Sequence, residues 1–347
     1  MGIPDGRVVS RIGEGHHQIH VAGELLGKEL SLSLPEKVLT NADLEKIVET
    51  SDEWITTRTG IKERRIAGKD EALSDFAIVA AKNALDMAQV KAEDLDLVLL
   101  ATVTYDQPIP ATACTVQYKI GAVNAAAFDF QAGCTGFIYG LSIADQYIRT
   151  GSAKKILLIG GEMLSKVTDY TDRTTCILFG DGCGAVVLSA EKGEKGILSS
   201  SIHSDGSMAD FIEMPGGGSR IPASVESVEK RLHFVKMKGN ETFKVAVRRI
   251  EGACRESLEK AGLPPESVRW FIPHQANTRI INAVAERLGW PPENLYMNIE
   301  RVGNTSAGSI PIALDEVVRD GKVKDNDILL FSAFGAGLTW GSAVVRW

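Results

Sequence analysis

Three side chains in this sequence have the chemistry to move an acyl group between thioesters: Cys134, His274 and Asn304. A cysteine thiolate attacks carbonyl carbon and forms a covalent acyl intermediate, which splits one difficult transfer into two easier steps. A histidine N–H and an asparagine amide can each hydrogen-bond a thioester oxygen on which negative charge develops. If the second thioester is a malonyl group, loss of CO₂ leaves an enolate at these donors, and its carbon attacks the acylated cysteine. The residue types therefore predict acyl transfer through a cysteine.

Each of the three residues also has an interpretation without catalysis. A free cysteine is most often a small buried hydrophobe, and this chain has five cysteines, with none in a C-x-x-C pair. A buried histidine most often satisfies its hydrogen bonds inside a core, and an asparagine is common in turns. The positions of the three residues in the fold must decide between these alternatives.

Cys134 follows a predicted strand and precedes a predicted helix. The short apolar run 125–130 is typical of a buried strand. Downstream, apolar residues recur at helical spacing and a glycine ends the pattern: Phe137, Leu141, Ala144, Ile148 and Gly151. A thiol at the start of a helix lies near unpaired backbone N–H groups and the positive end of the helix dipole. Both favour the thiolate, so we expect the pKa of Cys134 to be lowered.

Backbone N–H groups near Cys134 are candidates to bind an oxyanion. Glycines at 133 and 136 leave room for a bound group to approach the backbone. A second glycine-containing loop lies near the end of the chain, at Gly335, Ala336 and Gly337. We expect the N–H of Cys134 and one N–H of the 335–337 loop to bind the oxyanion that forms during acylation.

An internal repeat organises the rest of the chain. Leu85–Leu99 matches Leu258–Ile272 at a constant offset, 258 − 85 = 173 and 272 − 99 = 173. Ile156–Ile159 matches Ile328–Phe331 at an offset of 328 − 156 = 172. Two halves with the same order of helices and apolar strands predict a duplicated α/β unit whose strands are buried on both faces.

The repeat also predicts that the candidate residues meet. It places Cys134 near the position that residues 303–306 occupy in the second half, and His274 at the carboxyl end of a second-half strand. In open α/β sheets, ligands bind beyond the carboxyl ends of the strands. A pseudo-twofold axis between the halves would therefore bring Cys134, His274 and Asn304 into one pocket.

The composition argues against several classes of protein. The formal charge is 38 − 45 = −7, which argues against general nucleic-acid binding. The sequence shows no apolar segment near the length of a membrane span and no signal peptide, so we expect a reduced, cytoplasmic protein that does not bind a membrane. No Cys/His group has ligand spacing, so we expect no metal.

Two segments stand out from this background. The glycine-rich segment 180–184 precedes an apolar run rather than opening a helix, which favours a tight turn over a nucleotide-binding loop. Residues 229–255 carry eight Lys or Arg and three Asp or Glu, a local charge of 8 − 3 = +5. A solvated helix face and a docking surface for an acidic partner explain this charge equally well at this point.

From about Leu34 to Trp347 the sequence resembles the β-ketoacyl-acyl carrier protein synthase III family, the initiating condensing enzymes of bacterial fatty-acid synthesis. The resemblance rests on the motifs T-S-D-E-W-I, R-T-G-I-K-E-R-R, G-C-T-G-F, F-G-D-G, G-N-E-T-F-K-V-A-V, P-H-Q-A-N, G-N-T-S-A and G-A-G-L-T-W-G-S. It implies a duplicated thiolase-like fold, layered α-β-α-β-α with two pseudo-twofold-related mixed sheets. It also implies a homodimer that condenses a short acyl-CoA with malonyl-acyl carrier protein without a cofactor. Cys134, His274 and Asn304 fall on the family's catalytic triad.

Further roles follow from the resemblance by position. It implies contacts to CoA for Thr50, Trp54, Arg58, Arg173, Gly239 and Asn277. Among these, the tryptophan and Arg173 resemble the pair that sandwiches the adenine. It implies an acyl pocket that includes Ile109, which would reach into the partner subunit, Met237, Phe243 and Phe334. It implies a carrier-protein docking surface of Lys244, Arg248, Arg249 and Arg279, which now favours the partner interpretation of the basic segment.

We expect residues 1–30 to form a polar leader, and a flexible extension is one interpretation of it. Residues 31–193 would form the half with the nucleophile, and residues 194–347 the half with the histidine and asparagine. Ala336 stands where the family usually has glycine. Ile109 replaces what is often a larger side chain, which predicts some tolerance for primers longer than acetyl.

Other functions stay open beside this one. A related acyltransferase of secondary metabolism would use the same scaffold with another acceptor. A non-catalytic acyl-CoA-binding protein would have no need of all three polar residues. A cysteine hydrolase would release free acid without a malonyl substrate.

Overall fold

Two large β-sheets form the frame of the molecule. In the computed structural model of the chain, the described residues are 18–20 and 33–347. Their strands are β1 (Gln18–His20), β2 (Val38–Thr40), β3 (Glu63–Arg65), β4 (Leu97–Ala101), β5 (Ala126–Phe130), β6 (Lys155–Met163), β7 (Asp181–Ser189), β8 (Gly196–Ser204), β9 (Ile212–Glu213), β10 (Lys236–Met237), β11 (Val268–Pro273), β12 (Ile328–Gly335) and β13 (Thr339–Arg346).

Helices connect and cover these strands. In the described ranges the α-helices are α1 (Asn41–Leu44), α2 (Asp52–Thr59), α3 (Leu73–Ala88), α4 (Thr112–Ile120), α5 (Gly136–Arg149), α6 (Arg173–Cys176), α7 (Val225–Glu229), α8 (Gly239–Ala261), α9 (Thr278–Leu288), α10 (Ile299–Val302) and α11 (Ser309–Arg319). Two 3₁₀ turns lead directly into helices: Gly133–Thr135 into α5, and Ser306–Gly308 into α11.

Both large sheets are mixed. The first has the order β1-β7-β6-β4-β5, with β4 parallel to β5 and β6 and with β7 antiparallel to β6. The second has the order β11-β12-β13-β8, with β11 parallel to β12 and β13 antiparallel to its neighbours. In each sheet a pair of neighbouring parallel strands, β4 with β6 or β11 with β12, is followed in the chain by an antiparallel strand, β7 or β13. The duplicated unit predicted from the repeat is therefore present as two similar sheets.

The side chains of the first sheet pack in two directions, because successive residues of a strand point to opposite faces. Leu97 and Leu99 of β4 pack in a cluster that also contains residues of α5, α11 and the second sheet. Val98 and Leu100 pack on the other face, with residues of α3 and α4. The second sheet packs its outer face on α8 and α9. The layers are therefore α-β-α-β-α, with α5 and α11 between the sheets.

One strand differs from its prediction. The segment 125–130 was expected to be a buried strand, but β5 lies at the edge of the first sheet and pairs only with β4 among the described strands. Its residues are half-buried, and Ala126 is exposed. In the second half the corresponding position is a single bridge between Leu295 and Phe271. Apolar composition predicted a strand here, but the composition could not reveal that one side of the strand has no neighbour among the described residues.

The glycine-rich segment 180–184 was predicted as a tight turn, and this prediction is wrong. Its last four residues begin β7. A Cβ on Gly184 would lie 2.8 Å from the backbone N of Ile312 in α11. The glycines therefore let a central helix approach the strand closely, which is a tertiary requirement rather than a turn.

Part of the predicted leader is placed in the sheet. Gln18–His20 pairs antiparallel with Val187–Ser189 of β7. The rest of the predicted leader, residues 1–17 and 21–30, lies outside the described residues. The predicted division between residues 193 and 194 falls in the connection from β7 to β8 and stays a prediction.

The described ranges contain neither a membrane-spanning helix nor a group of candidate metal ligands. In them, no helix is long and apolar enough to cross a membrane. Nor do these ranges contain a group of three or more His, Cys, Asp or Glu side chains that could hold a metal ion.

Candidate active site

Cys134 lies in the turn Gly133–Thr135, which we call the first junction because it joins β5 to α5. Gly133 has a φ of +51°, a left-handed conformation that glycine adopts at little cost. A Cβ on Gly133 would lie 2.7 Å from the backbone N of Ala336. The glycine therefore brings the chain before Cys134 into contact with the predicted oxyanion loop.

The end of β12 packs directly on the first junction. A Cβ on Gly335 would lie 2.4 Å from the backbone N of Cys134, so only glycine fits. The hydroxyl of Thr339 donates to the carbonyl of Ala132 at 2.8 Å, and the hydroxyl of Thr135 donates to the carbonyl of Thr339 at 3.2 Å. These bonds hold the 335–337 loop beside the nucleophile, where its N–H groups and that of Cys134 were predicted to act together.

The second half contains a matching turn, Ser306–Gly308, which we call the second junction. At the repeat offset of 173, Cys134 corresponds to Ala307 and Gly133 to Ser306. The backbone follows this correspondence, because Ser306 has a φ of +48°. The packing follows it too, since a Cβ on Gly160 of β6 would lie 2.3 Å from the carbonyl oxygen of Ala307. Each junction is thus packed on a strand of the other half.

Asn304 is fixed just before the second junction. Its backbone N donates to the carbonyl of Leu178 at 2.9 Å, and its carbonyl accepts from the N of Gly180 at 2.9 Å. Its side-chain Oδ1 accepts from the backbone N of Ser306 at 2.9 Å. With Oδ1 occupied, the amide NH₂ is the end that can donate to a ligand, as predicted for this residue.

His274 follows the end of β11, at the carboxyl end of a strand as predicted. It is buried, with 5% of its surface exposed. Its Nδ1 lies 3.0 Å from the hydroxyl of Ser309, which lies 3.2 Å from that of Thr305. Burial lowers the pKa of His274 to about 3, so the imidazole is neutral at pH 7. When Ser309 donates to Nδ1, the ring proton is on Nε2, which is then a hydrogen-bond donor.

The predicted thiolate is not the form that the free protein holds. Cys134 keeps some exposure as a residue, but its thiol has buried surroundings. Burial raises the pKa of Cys134 to about 11, and the charge of Glu162 acts in the same direction. A hydrogen bond with Ser306 opposes the rise without overcoming it. The expected lowering of the pKa by the helix start is therefore wrong for the free protein, because desolvation outweighs it.

Two residues near the thiol were missed from the sequence. Ser306 connects the two junctions, since its N donates to Asn304 and its hydroxyl acts on the pKa of the Cys134 thiol. Glu162 is fully buried at the end of β6 and accepts a hydrogen bond from Ser306. A signal for Glu162 existed, because it is the one acidic residue within the apolar run that begins at Ile156.

Two of the residues predicted to bind CoA lie over one tryptophan. The guanidinium of Arg58 lies 4.4 Å from the ring centre of Trp54, and that of Arg173 lies 5.0 Å from it. The hydroxyl of Thr50 is buried without a hydrogen-bond partner. Asn277 uses its Nδ2 to donate to the carbonyl of Arg58 at 2.8 Å, so it ties α9 to α2. Gly239 begins α8.

The predicted acyl-pocket residues lie in different environments. Met237 packs beside Trp54 in the cluster around α1 and α2. Phe243 and Phe334 pack in the cluster of the second sheet and α8, where Phe334 is buried. Ile109 is 86% exposed, and the structure does not place it with the other three. A cavity of about 220 Å³ lies next to its loop, lined by Thr102, Tyr105, Gln107, Pro108, Ala111, Asp129, Phe130 and Gln131.

Three of the four predicted docking residues are available at the surface. Lys244 and Arg248 are exposed one turn apart on α8. Arg279 is exposed at the start of α9, with its guanidinium 5.5 Å from the ring centre of Phe243. Arg249 is engaged within the chain, since it pairs with Asp205 at 3.6 Å and lies 4.5 Å from the ring centre of Trp340. Three of the four predicted residues therefore have no ion pair with another described residue.

Comparison with known proteins gives consistent matches. The family described as 3-oxoacyl-[acyl-carrier-protein (ACP)] synthase III matches residues 128–206, and its C-terminal model matches residues 258–347. The chain is 55% identical over 314 residues to a β-ketoacyl-[acyl-carrier-protein] synthase III of Caldanaerobacter subterraneus subsp. tengcongensis, which covers 90% of this chain and 95% of that protein.

Solved structures extend this similarity to the fold. The crystal structure of 3-oxoacyl-[acyl-carrier-protein] synthase III from Aquifex aeolicus VF5 matches with a TM-score of 0.86 and 50% identity, and covers 95% of this chain and 100% of that one. The priming β-ketosynthase of the R1128 polyketide biosynthetic pathway matches with a TM-score of 0.87 and 32% identity, and covers 97% and 98% of the two chains.

Proposed function

The chain belongs to the 3-oxoacyl-[acyl-carrier-protein] synthase III family, and on this premise we propose how its residues divide the reaction between them. It is an acyltransferase with a thiolase-like fold that condenses a short acyl-CoA with malonyl-acyl carrier protein and so initiates fatty-acid synthesis. The observation that carries the residue assignment is the contact of the two junctions, where Ser306 holds the Asn304 amide and its hydroxyl acts on the pKa of the Cys134 thiol.

In the first half-reaction, the sulfur of Cys134 attacks the carbonyl carbon of the acyl-CoA. The carbonyl oxygen gains negative charge as the S–C bond forms. The N–H of Cys134 and an N–H of the 335–337 loop stabilise that charge, because the loop is packed against the junction by Gly335 and tied to it by Thr339. Collapse of the intermediate releases CoA as a thiolate and leaves the acyl group on Cys134.

In the second half-reaction, His274 and Asn304 hold the thioester oxygen of the malonyl group. His274 suits this role as a neutral donor, since burial keeps it uncharged and Ser309 is placed to fix the tautomer. Asn304 presents its NH₂ because Ser306 occupies its Oδ1. Loss of CO₂ places negative charge on the held oxygen, and the enolate carbon then attacks the acyl group on Cys134. Cys134 leaves as a thiolate and is reprotonated.

We propose that Trp54, Arg173 and Thr50 bind the nucleotide end of CoA. The distance of 5.0 Å between Arg173 and the tryptophan ring is too short for a base between them, which needs about 7 Å. Arg173 therefore moves outward when CoA binds, and its bond to the carbonyl of Glu49 at 3.1 Å must adjust. Thr50 supports the assignment because its buried hydroxyl lacks a partner in the free protein.

We propose a homodimer that forms through the free edge of β5. An exposed strand edge presents unpaired backbone groups that another strand can satisfy. Large apolar side chains near this edge are exposed, at Ile109, Tyr118 and Val123. A second copy related by a twofold axis would cover them and would carry Ile109 to the pocket of its partner.

The docking surface for the acidic carrier protein is proposed as Lys244, Arg248 and Arg279. These side chains are exposed around the start of α8 and α9. None of the three forms an ion pair with another described residue, so their charges are available to a partner. Arg249 is left out because its charge is paired with Asp205.

Intact-protein mass spectrometry tests the two half-reactions in sequence. The protein is mixed with acetyl-CoA, and malonyl-acyl carrier protein is then added. We expect an acetyl adduct on Cys134 that disappears as acetoacetyl-acyl carrier protein and CO₂ form. Absence of an adduct with acetyl-, butyryl- and isobutyryl-CoA would contradict the assignment and favour a protein that only binds acyl-CoA. The initial rates with these three primers also test the predicted tolerance, which a strict preference for acetyl would reject.

A second candidate is priming of a polyketide pathway on the same scaffold. The TM-score of 0.87 to the R1128 priming β-ketosynthase supports this alternative. The two functions differ in the acceptor and not in the nucleophile. An adduct on Cys134 that persists with the carrier protein of fatty-acid synthesis, but is discharged by a polyketide carrier protein, would favour the second candidate. The predicted cytoplasmic location stays a prediction in either case.

A further inference from the structure

Glu162 is a buried carboxyl group without a cation beside it. It is 0% exposed, and it forms no ion pair with a Lys, Arg or His of the described residues. Instead it accepts hydrogen bonds from the segment after β4: from the hydroxyl of Thr102 at 3.1 Å, the backbone N of Val103 at 3.1 Å and the hydroxyl of Thr104 at 2.5 Å. A buried carboxyl group held by neutral donors alone is costly to ionise. Such a group beside the nucleophile is therefore a candidate for a role in the reaction.

A fourth donor links this carboxyl group to the nucleophile. The hydroxyl of Ser306 donates to Oε1 of Glu162 at 3.3 Å, and the same hydroxyl opposes the rise in the pKa of the Cys134 thiol. The hydroxyl therefore lies between the thiol and the carboxyl group. Ser306 occupies this place in a left-handed conformation, whereas the matching position of the first junction is Gly133. A serine in this left-handed backbone conformation is strained. We therefore infer that the Ser306 hydroxyl has a function in the site.

We propose that Glu162 is a positioning residue that accepts the thiol proton of Cys134 through Ser306 during acylation and returns it after condensation. This inference rests on the proposed function, because it assigns a proton path to the same nucleophile. As the sulfur attacks, the thiol proton passes to the Ser306 oxygen and the Ser306 proton passes to Glu162. The S–C bond forms, the C–S bond to CoA breaks, and the CoA thiolate takes its proton from solvent. When the enolate carbon displaces Cys134, the proton on Glu162 returns along the same path.

The neighbouring groups support Glu162 as the acceptor. Burial raises the pKa of Glu162 to about 7, whereas it lowers the pKa of His274 to about 3, so the carboxylate is the stronger base. The ionisable groups coupled to the charge of Glu162 are Cys134 and Cys183, and burial raises the pKa of both. Asp181 and Asp106 act on Cys183 in the same direction. Each of these groups is either a neutral thiol or an anion, and none of them supplies a cation that would weaken the base.

The test is the rate of Cys134 acylation by acetyl-CoA between pH 5 and 9, measured by rapid quench and mass spectrometry. For the wild type, we expect the rate to rise with pH through a midpoint near the pKa of Glu162, because the carboxylate is the active form. Glu162→Gln keeps the shape of the side chain and removes the base. We expect it to lower the rate at pH 7 by about 10²-fold and to abolish this midpoint.

Matched variants separate the proton path from simple packing. Ser306→Gly relieves the left-handed strain and removes the hydroxyl, and we expect a loss similar to that of Glu162→Gln with no further loss in the double variant. Thr104→Val keeps the carboxyl group but removes a donor to the carboxylate, so we expect the midpoint to move to higher pH.

Three results would overturn the inference. Wild-type rate and pH profile in Glu162→Gln would show that the carboxylate takes no proton. Wild-type acylation in Ser306→Gly would remove the path through the hydroxyl. A uniform loss of acylation in Glu162→Gln from pH 5 to 9, with the midpoint retained, would indicate general damage to the site. Failure of the wild type itself to form the adduct would instead reject the proposed function.

Discussion

The first junction, Gly133–Thr135, and the second junction, Ser306–Gly308, have similar backbones and different chemistry. Both are 3₁₀ turns that lead into a central helix, and both begin in a left-handed conformation. The first carries the thiol, at Cys134, and the second carries Ala307 in the matching position. The comparison shows that duplication supplied two equivalent places at one interface, and that only one of them was needed for the nucleophile.

The strand residues that contact the two junctions also differ in their chemistry. The strand residue that packs on the first junction is Gly335, preceded by the buried Phe334. At the offset of 172, Phe334 corresponds to Glu162, which bonds with the second junction. One half therefore supplies the sulfur and the carboxyl group, and the other supplies His274, Asn304 and the connecting hydroxyl. Neither half contains a complete site, which explains why the packing between them is close.

The largest effect is expected from moving the nucleophile between the junctions. Cys134→Ser should lower acylation by more than about 10³-fold, because the hydroxyl is a far weaker nucleophile at neutral pH. If the junctions were equivalent in function, Cys134→Ala combined with Ala307→Cys would restore an adduct at the new position. We expect no adduct, since the oxyanion loop is packed on the first junction only. Peptide mapping after incubation with acetyl-CoA measures this directly.

A smaller effect should distinguish the two half-reactions. His274→Ala and Asn304→Ala each remove a donor to the malonyl thioester oxygen, so condensation should fall by about 10²–10³-fold. Acylation uses the other junction and should stay within a few-fold. The adduct formation rate and the rate of its discharge by malonyl-acyl carrier protein give the two numbers. Equal losses in both steps would contradict the division of roles.

The buried carboxyl group should also be visible in the stability of the protein. The pKa of Glu162 is raised from 4.5 to about 7 in the folded state, so the folded protein binds this proton more tightly than the unfolded chain. Stability is therefore lost as the pH rises from 4.5 to 7, by about 3 kcal/mol. Glu162→Gln lacks this titration. The free energy of unfolding of the variant, relative to that of the wild type, should therefore increase by that amount between pH 4.5 and pH 7. Urea unfolding at pH 5 and pH 8 measures the difference, and a constant offset at both pH values would argue against a raised pKa.

The smallest effects should come from the two glycines that pack on the junctions. Gly335→Ala would place a methyl group 2.4 Å from the N of Cys134, and Gly160→Ala would place one 2.3 Å from the O of Ala307. Each should cost about 1–3 kcal/mol of stability. Their activities should differ, with Gly335→Ala slowing acylation more and Gly160→Ala slowing condensation more. The same pair of half-reaction assays decides this, and identical profiles would mean that the junctions are not independent.

The sequence by itself determined the repeat, the general order of helices and strands, and the three residues proposed for catalysis. These features are local patterns or constant offsets, so they can be found without coordinates. The family motifs lie in the same segments, and the comparisons confirm the family and the thiolase-like fold. The duplication, which the offset of 173 made visible, predicted that Cys134, His274 and Asn304 share one pocket.

Only the tertiary structure decided the protonation of the site. The position of Cys134 at a helix start predicted a thiolate, but burial between two halves raised its pKa instead. Glu162 and Ser306 meet across 144 positions of sequence, and no local pattern pairs them. Among the described strands, the position of β5 at the edge of its sheet likewise depends on the order in which the strands assemble. Desolvation and long-range partners are properties of the packed molecule, and the sequence near each residue does not contain them.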